Sequence, residues 1–354
     1  MCDCRHREVY NLRAPTSEAG AVHLATAGIK SMLDERPLLM LMDGHALVHR
    51  AWHAIQTPLN ISRTGEEVRA VYGFLNTFLR ELSEWQPTHC AIAFDVSAPT
   101  FRHKSYEAYK AHRPPTPPEL RPQFSRVRQM MEAFRVPIFE MKGYEADDVL
   151  GTLCRQAEDS ELETLILTGD TDTLQLVSPW VRVLLSYSVQ KRTVYDEAGV
   201  RERYGGLEPA AVPDIKALEG DTSDNIPGVP GIGAKTAIRL LRESGSVQGI
   251  YERLEEVGPA RTRESLRANR DAALRSKVLA TIVTDVPLRL DPDEARFWRY
   301  DRATVVDLLR ELEFFTAVRR VPDPHSEGPT AVQSRMALDA APSQEEPATQ
   351  YTVV

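Results

Sequence analysis

Three short apolar runs constrain what this chain can fold into: LLMLM at 38–42, CAIAF at 90–94 and TLILT at 164–168. They are nearly continuous rather than alternating. Such runs read as strands covered on both faces, as in a buried parallel sheet. Helical periodicity falls between and after them, at about 66–84, 119–134, 145–158 and 196–204. Strand–helix alternation predicts an α/β fold with a central, mainly parallel sheet. From about 208 the strand signal fades, and a second, helical part is expected to run to about 320.

Each run is followed by an acid. Asp43 follows the first, Asp95 the second, and Asp170 the third, with Asp172 two residues on. Ligands of an open α/β sheet bind outside the carboxyl ends of its strands. One such aspartate is equally a turn residue or a helix N-cap; three on one edge are harder to explain that way. GYEADDVLGTL at 143–153 adds Glu145, Asp147 and Asp148 at a helix start. Acids suit the positive end of a helix. Glu145 and Asp148, three apart, share a face that Asp147 does not. Asp221 and Asp224 in GDTSDN repeat that spacing.

Nine carboxylates cannot crowd together ionised without compensation. Oxygen donors with no paired His or Cys select hard cations, Mg²⁺ or Mn²⁺ over zinc. Two such ions about 4 Å apart are the usual device for in-line attack on a phosphodiester.

The formal net charge is −8, which taken alone argues mildly against a nucleic-acid partner. Acids gathered around cations would conceal a local basic surface. TFRHKSYEAYKAHRPPTP at 100–117 carries Arg102, Lys104, Lys110 and Arg113 against the single acid Glu107, with Phe101, Tyr106 and Tyr109 interleaved. This suits gripping a phosphate backbone and stacking on unpaired bases; the alternative is a solvated helix face over buried aromatics. Arg50 in DGHALVHRAWHA is a further phosphate candidate. In GVPGIGAKTAIRLL, Gly228, Gly231 and Gly233 hinge a tight turn into a helix beginning near Ala234, with Lys235, Thr236 and Arg239 on it. Helix N-termini hold phosphate without reading bases, so this reads as a helix-hairpin-helix contact to duplex backbone.

The ends are different. Residues 1–36 lack sustained periodicity and read as a flexible extension, with Met32 an alternative start. Cys2, Cys4 and His6 have no second ligand pair, and four cysteines suit a reducing compartment better than a disulfide framework. Residues 321–354 read as a Pro-, Ala-, Ser- and Glu-rich linker ending in YTVV, a β-prone run resembling the first strand of a further domain. The longest apolar run is too short to span a membrane.

In order and spacing, DGHALVHRAWHA, VYGF, FDVSAPTFRH, YKAHRPPTP, GYEADDVLGTL, LTGDTDTLQLV and GDTSDNIPGVPGIGAKTA resemble the 5′-nuclease (5′-3′ exonuclease) domain of bacterial DNA polymerase I, of the flap endonuclease-like family. The resemblance covers about 37–320. It implies a PIN-like α/β core over 37–207, then a DNA-binding region of helix-hairpin-helix (helix-3-turn-helix) type over 208–320, its hairpin near 224–244. It implies two Mg²⁺ ions, replaceable by Mn²⁺, held by Asp43, Asp95, Glu145, Asp147, Asp148, Asp170, Asp172, Asp221 and Asp224, and a K⁺ held by backbone carbonyls in the hairpin region. Lys110 and Arg113 match the family's basic pair on an arch above the site, and with Asp147 are the expected catalytic residues. Implied substrates are DNA with 5′ flaps, nicks or 5′ ends, and RNA primers, cut to 5′-phosphate and 3′-hydroxyl. The expected protein is a monomer in the bacterial cytoplasm, nucleoid-associated, either a stand-alone nuclease working alongside a separate polymerase or the N-terminal piece of a DNA polymerase I, and without polymerase activity of its own. Thr171 stands where lysine is usual, and His49 and Trp52 where Tyr and Phe are usual. A binding module without turnover would lack an acid, a PIN-like ribonuclease would not need the hairpin, and a small-phosphoester phosphatase would need neither hairpin nor arch.

Overall fold

The computed structural model describes residues 36–186 and 192–324. The Cys2, Cys4 and His6 cluster and the YTVV strand lie outside those residues. The three apolar runs are strands, as expected. β1 (Leu38–Asp43), β2 (His89–Ala93), β3 (Ile138–Phe139), β4 (Glu163–Thr168), β5 (Val181–Ser186) and β6 (Arg192–Tyr195) form one sheet in the order β3-β2-β1-β4-β5-β6. β1 to β5 are parallel, and β6 pairs antiparallel with β5. Successive side chains on a strand face opposite ways. Met40, Met42, Ile92, Leu165 and Leu167 therefore enter one core layer, and Leu39, Leu41, Ala91, Ala93 and Ile166 the other. Both faces are covered, which is why the runs carry no polar alternation.

The helices are α1 (Gly44–Ala54), α2 (Arg69–Trp85), α3 (Phe101–Ser105), α4 (Arg121–Ala133), α5 (Ala146–Asp159), α6 (Glu197–Arg203), α7 (Val212–Glu219), α8 (Ala234–Ser244), α9 (Val247–Glu252), α10 (Ala260–Ala268), α11 (Arg270–Ala280), α12 (Arg302–Glu311) and α13 (Phe315–Val318). Helices α1, α2, α4 and α12 pack on the Met40 face and α5 on the Leu39 face. α7 to α11 surround a separate core of Leu218, Ile232, Leu240, Leu241, Ile250, Leu266 and others.

The second part does not run unbroken to 320 as expected. After α11 the chain returns to the sheet. Val286 N donates to Thr152 Oγ1 at 3.1 Å and Leu290 N to Gln156 Oε1 at 2.7 Å, both on α5. Phe297 N donates to Thr88 O, and Phe297, Trp298 and Tyr300 join the Met40-face core with α12. The burial of three aromatics outweighs the segment's lack of regular periodicity.

Two glycines shape the turn between α7 and α8. Gly220 has φ +87°, and a Cβ there would lie 2.7 Å from Gly228 N. A Cβ on Gly228 would overlap Glu219 O, which is backbone and cannot step aside. Gly228→Ala is expected to cost about 2–3 kcal/mol of stability, read as a lower urea midpoint at unchanged m-value. An unchanged midpoint would mean that the turn is not tightly closed.

Candidate active site

The carboxyl edge of the sheet gathers the strand-end acids, each also making a local structural bond. Asp43 Oδ1 accepts from Ala46 N at 3.0 Å and caps α1, while its Oδ2 accepts from Thr168 Oγ1 at 2.7 Å, joining β1 to β4. Asp95 Oδ1 accepts from Ala146 N at 2.7 Å, joining the end of β2 to the start of α5. Asp170 Oδ1 accepts from Asp172 N at 2.9 Å, capping the 3₁₀ turn Thr171–Leu176. Glu145 and Asp148 cap the start of α5 reciprocally. The capping reading thus holds for Asp43, Asp170, Glu145 and Asp148.

The acids repel one another. Burial first, then Asp95 and Asp170, push Asp43 up to about 7 against its hydrogen bonds. Burial, followed by Asp170 and Asp43, holds Asp147 well above the usual carboxylate range, opposed by Lys110. Asp147 is half-buried and takes no hydrogen bond from the described residues.

The arch segment closes on this edge. Lys110 Nζ lies 2.9 Å from Glu145 Oε2 and 3.6 Å from Asp224 Oδ2. Arg113 Nη2 donates to Asp224 Oδ1 at 2.5 Å. Lys110 has φ +55°, a conformation that non-glycine residues seldom adopt. Its backbone N–H donates to Asp224 O at 2.9 Å.

Two residues expected at the DNA are placed inside instead. Tyr109 is 2% exposed, packed with Ile226 and Leu279. Its hydroxyl lies 3.0 Å from Glu145 Oε2 and 2.9 Å from Asp224 Oδ2, so it cannot stack on a base. Arg102 is 2% exposed and grips Asp148 with two nitrogens, at 2.7 and 2.8 Å. The interleaved aromatics and basic residues alternate between core and solvent, so the segment is partly the alternative reading. Lys104, Arg113, Lys235, Gly231 and Gly233 are exposed, and Gly228 and Thr236 half-buried. Arg239 is exposed but turned to Glu243 Oε1 at 3.0 Å. The Arg50 guanidinium fills the space that a Cβ on Gly169 would need, just below Asp170.

Lys216 was not singled out from the sequence, yet it bonds both Asp172 and Asp221. It is the lone basic residue between Arg203 and Lys235, among Asp214, Glu219, Asp221 and Asp224; that isolation was the available signal. Asp172 and Asp221 respond oppositely. Burial and Asp170 push Asp172 up to about 7 despite Lys216. Burial also opposes ionisation of Asp221, but Lys216 and Ser223 hold it down at about 2. His45 was missed too: its Nδ1 accepts from Asp95 N at 3.0 Å, its ring lies 4.6 Å from Phe124, and burial lowers its pKa.

These shifts set a pH dependence. Asp43 and Asp172 titrate near 7 in the folded chain and near 3.8 when free. Between those values the folded state keeps protons that the unfolded state sheds, so stability falls as pH rises toward 7 and then levels. Asp221 acts in the opposite sense, its contribution present above about 4 and lost toward 2. The metal-free chain should therefore melt higher at pH 5 than at pH 8, with added MgCl₂ raising Tm more at pH 8. Calorimetry in EDTA and in MgCl₂ reads this; equal melting at both pH values would show that the acids are not crowded.

Among the described residues, no three of these side chains converge closely enough to share one metal ion. Lys110, Arg113 and Lys216 instead pair with Glu145, Asp224, Asp172 and Asp221. The donor chemistry nevertheless fits hard divalent ions, since Asp43, buried, and Asp147, half-buried, are carboxylates crowded by like charges.

Comparison with known proteins follows the same outline. Residues 38–205 match the family model of the 5′-3′ exonuclease N-terminal resolvase-like domain, and residues 207–303 that of the 5′-3′ exonuclease C-terminal SAM fold. DNA polymerase I of Chloroflexus aurantiacus is 46% identical over 312 residues, 86% of this chain and 33% of that protein. DNA polymerase I of Bacillus caldotenax is 42% identical over 290 residues, 82% of this chain and 33% of that protein. The chain thus spans about a third of the length of these relatives. Among solved structures, T5 5′-exonuclease with bound zinc aligns with TM-score 0.56 at 23% identity, over 78% of this chain and 96% of that one. The catalytic core of Rad2 in complex with DNA substrate aligns with TM-score 0.53 at 13% identity, over 80% of this chain and 89% of that one. These two likenesses speak for the fold. No helix among the described residues is long and apolar enough to cross a membrane. With both exonuclease models matching in tandem over the sheet that gathers the acids and the helices that carry the hairpin, the chain belongs to the 5′-3′ exonuclease family of nucleases related to DNA polymerase I.

Proposed function

We propose that this chain hydrolyses phosphodiesters at the 5′ ends and flap junctions of DNA, RNA primers included, leaving 5′-phosphate and 3′-hydroxyl. The observation that carries this is the meeting of Lys110 and Arg113 with Glu145 and Asp224 beside the strand-end acids. Cations suited to phosphate and oxygen donors suited to a hard metal ion would share one place on this reading. Mg²⁺, replaceable by Mn²⁺, would be held by Asp43, Asp95, Glu145 and Asp147 on one side and by Asp170, Asp172, Asp221 and Asp224 on the other. Bound there, such ions supply activation of water and neutralisation of charge on the phosphate and leaving oxygen.

The chain's own residues do the rest. Lys110 and Arg113 present charge that, turned to the phosphoryl oxygens, offsets the negative charge growing in the transition state. The start of α8, with Gly231, Gly233 and Lys235 exposed, offers backbone N–H groups and a cation to duplex phosphate. That grip sets the distance to the cut without reading bases. A K⁺ in the hairpin, monomeric action, association with the bacterial nucleoid and work beside a polymerase belong to the same reading.

The test is a 5′-flap DNA labelled at its 3′ end, incubated with Mg²⁺, Mn²⁺ or EDTA. Cleavage near the junction that EDTA abolishes is expected. Tight binding without cleavage under either metal would put the binding-module reading in its place, and cleavage of single-stranded RNA with no need for duplex would favour a ribonuclease.

A further inference from the structure

Asp148 belongs to the acid cluster by sequence, but its surroundings differ from those of its neighbours. It is 0% exposed. Oδ1 accepts from Arg102 Nη2 at 2.8 Å and from Val283 N at 2.9 Å. Oδ2 accepts from Arg102 Nη1 at 2.7 Å and from Glu145 N at 3.1 Å. A carboxylate offers about four acceptor positions, and protein donors fill them all. Asp147, one residue earlier, receives no such donor.

The partner is equally committed. Arg102 Nε donates to Leu279 O at 2.8 Å and Nη2 to Thr281 O at 2.8 Å. One ion pair therefore ties four segments together: α3, the start of α5 with Glu145 and Asp147, the end of α11, and the returning chain at Val283. A planar guanidinium satisfies this geometry, and an ammonium cannot.

We infer that Asp148 is not a ligand of the divalent ions but forms, with Arg102, the joint that holds the arch and the helical region onto the catalytic acids. The pair acts through its neighbours: it fixes where Lys110 stands relative to Glu145 and Asp147. The kinetic part of this inference rests on the nuclease reading; the metal and stability parts do not.

The experiment compares Asp148→Asn, Asp147→Asn and Arg102→Lys by titration with MnCl₂ in a calorimeter, by Tm, and by single-turnover cleavage. Asp148→Asn should keep the number of Mn²⁺ sites with affinity within about threefold, while Tm falls by about 10 °C because a buried charge loses its match. Asp147→Asn should lose a site or weaken binding tenfold or more, with Tm unchanged or higher. Arg102→Lys should keep Mn²⁺ affinity and flap-DNA Kd, lower Tm, and slow single-turnover cleavage about 10- to 100-fold, as expected of a supporting residue. Loss of a Mn²⁺ site in Asp148→Asn, matching Asp147→Asn, overturns the inference. Where Asp148→Asn does not fold, Arg102→Lys decides: a tenfold change in Mn²⁺ affinity at unchanged Tm would make Asp148 a ligand screened by Arg102. If the wild-type chain cleaves nothing, the nuclease reading fails while the titration and Tm comparisons still decide the role of Asp148.

Discussion

Asp147→Ala should lower single-turnover cleavage of a 5′-flap DNA to about a thousandth of the parent rate or less, while leaving flap binding within about threefold. The size follows from the several kcal/mol that a properly held divalent ion contributes to charge stabilisation, at 1.36 kcal/mol per tenfold. Asp147 is chosen because the fold gives its carboxylate no other employment. No described backbone or side-chain donor bonds it, and its strongest neighbours are the like charges Asp170 and Asp43. Removing it should relieve repulsion, so in EDTA the variant is expected to melt no lower than the parent. Loss of activity with undiminished Tm thus separates chemistry from folding. Full activity in the variant would remove Asp147 from the site.

Lys110→Ala should slow single-turnover cleavage about 10²- to 10³-fold, the cost of removing one preorganised charge partner of the transition state. Duplex affinity should change little, with the slope of log Kd against log salt shifting by no more than about one. The fold has reason to survive. Tyr109 still reaches Glu145, and Arg113 still pairs with Asp224. Lys110→Gly is the control, because glycine is at ease at the φ of +55° that lysine tolerates there. Both variants losing rate alike, with the glycine form at least as stable, would assign the effect to the ammonium. A change confined to salt-dependent affinity would make Lys110 a contact that positions the substrate.

The sheet and its acidic edge were legible because buried parallel strands leave unbroken apolar runs, and because an acid stands at or within two residues of the ends of β1, β2 and β4. α5 was legible from its acidic first turn and from the periodicity behind it. Depth was not legible. Arg102 and Tyr109 lie in a stretch whose composition fits a nucleic-acid surface, yet Asp148 and the Glu145–Asp224 pair draw both inward. Composition counts charges, but not which of them already has a partner across the fold. Lys216 escaped because its partners Asp172 and Asp221 are 44 and 5 residues away, so neither helical nor strand spacing links them. The return at 281–301 escaped because its bonds to α5 and β2 replace a regular period of its own.

That return has a consequence in time. A ribosome releases Asp43, Asp95 and Asp170 long before Phe297 and Trp298, yet Trp298 Nε1 donates to Pro87 O, 211 residues back, at the entrance to β2. Until those aromatics emerge, α1, α2 and α4 cover the Met40 face without the layer that Phe297, Trp298 and Tyr300 add to it. Closing such a span is slow relative to local helix formation. The acidic edge is therefore among the first parts of the polypeptide to be synthesised and its supporting core among the last to be completed, and a fragment cut at residue 207 would carry the strands without Phe297, Trp298 and Tyr300.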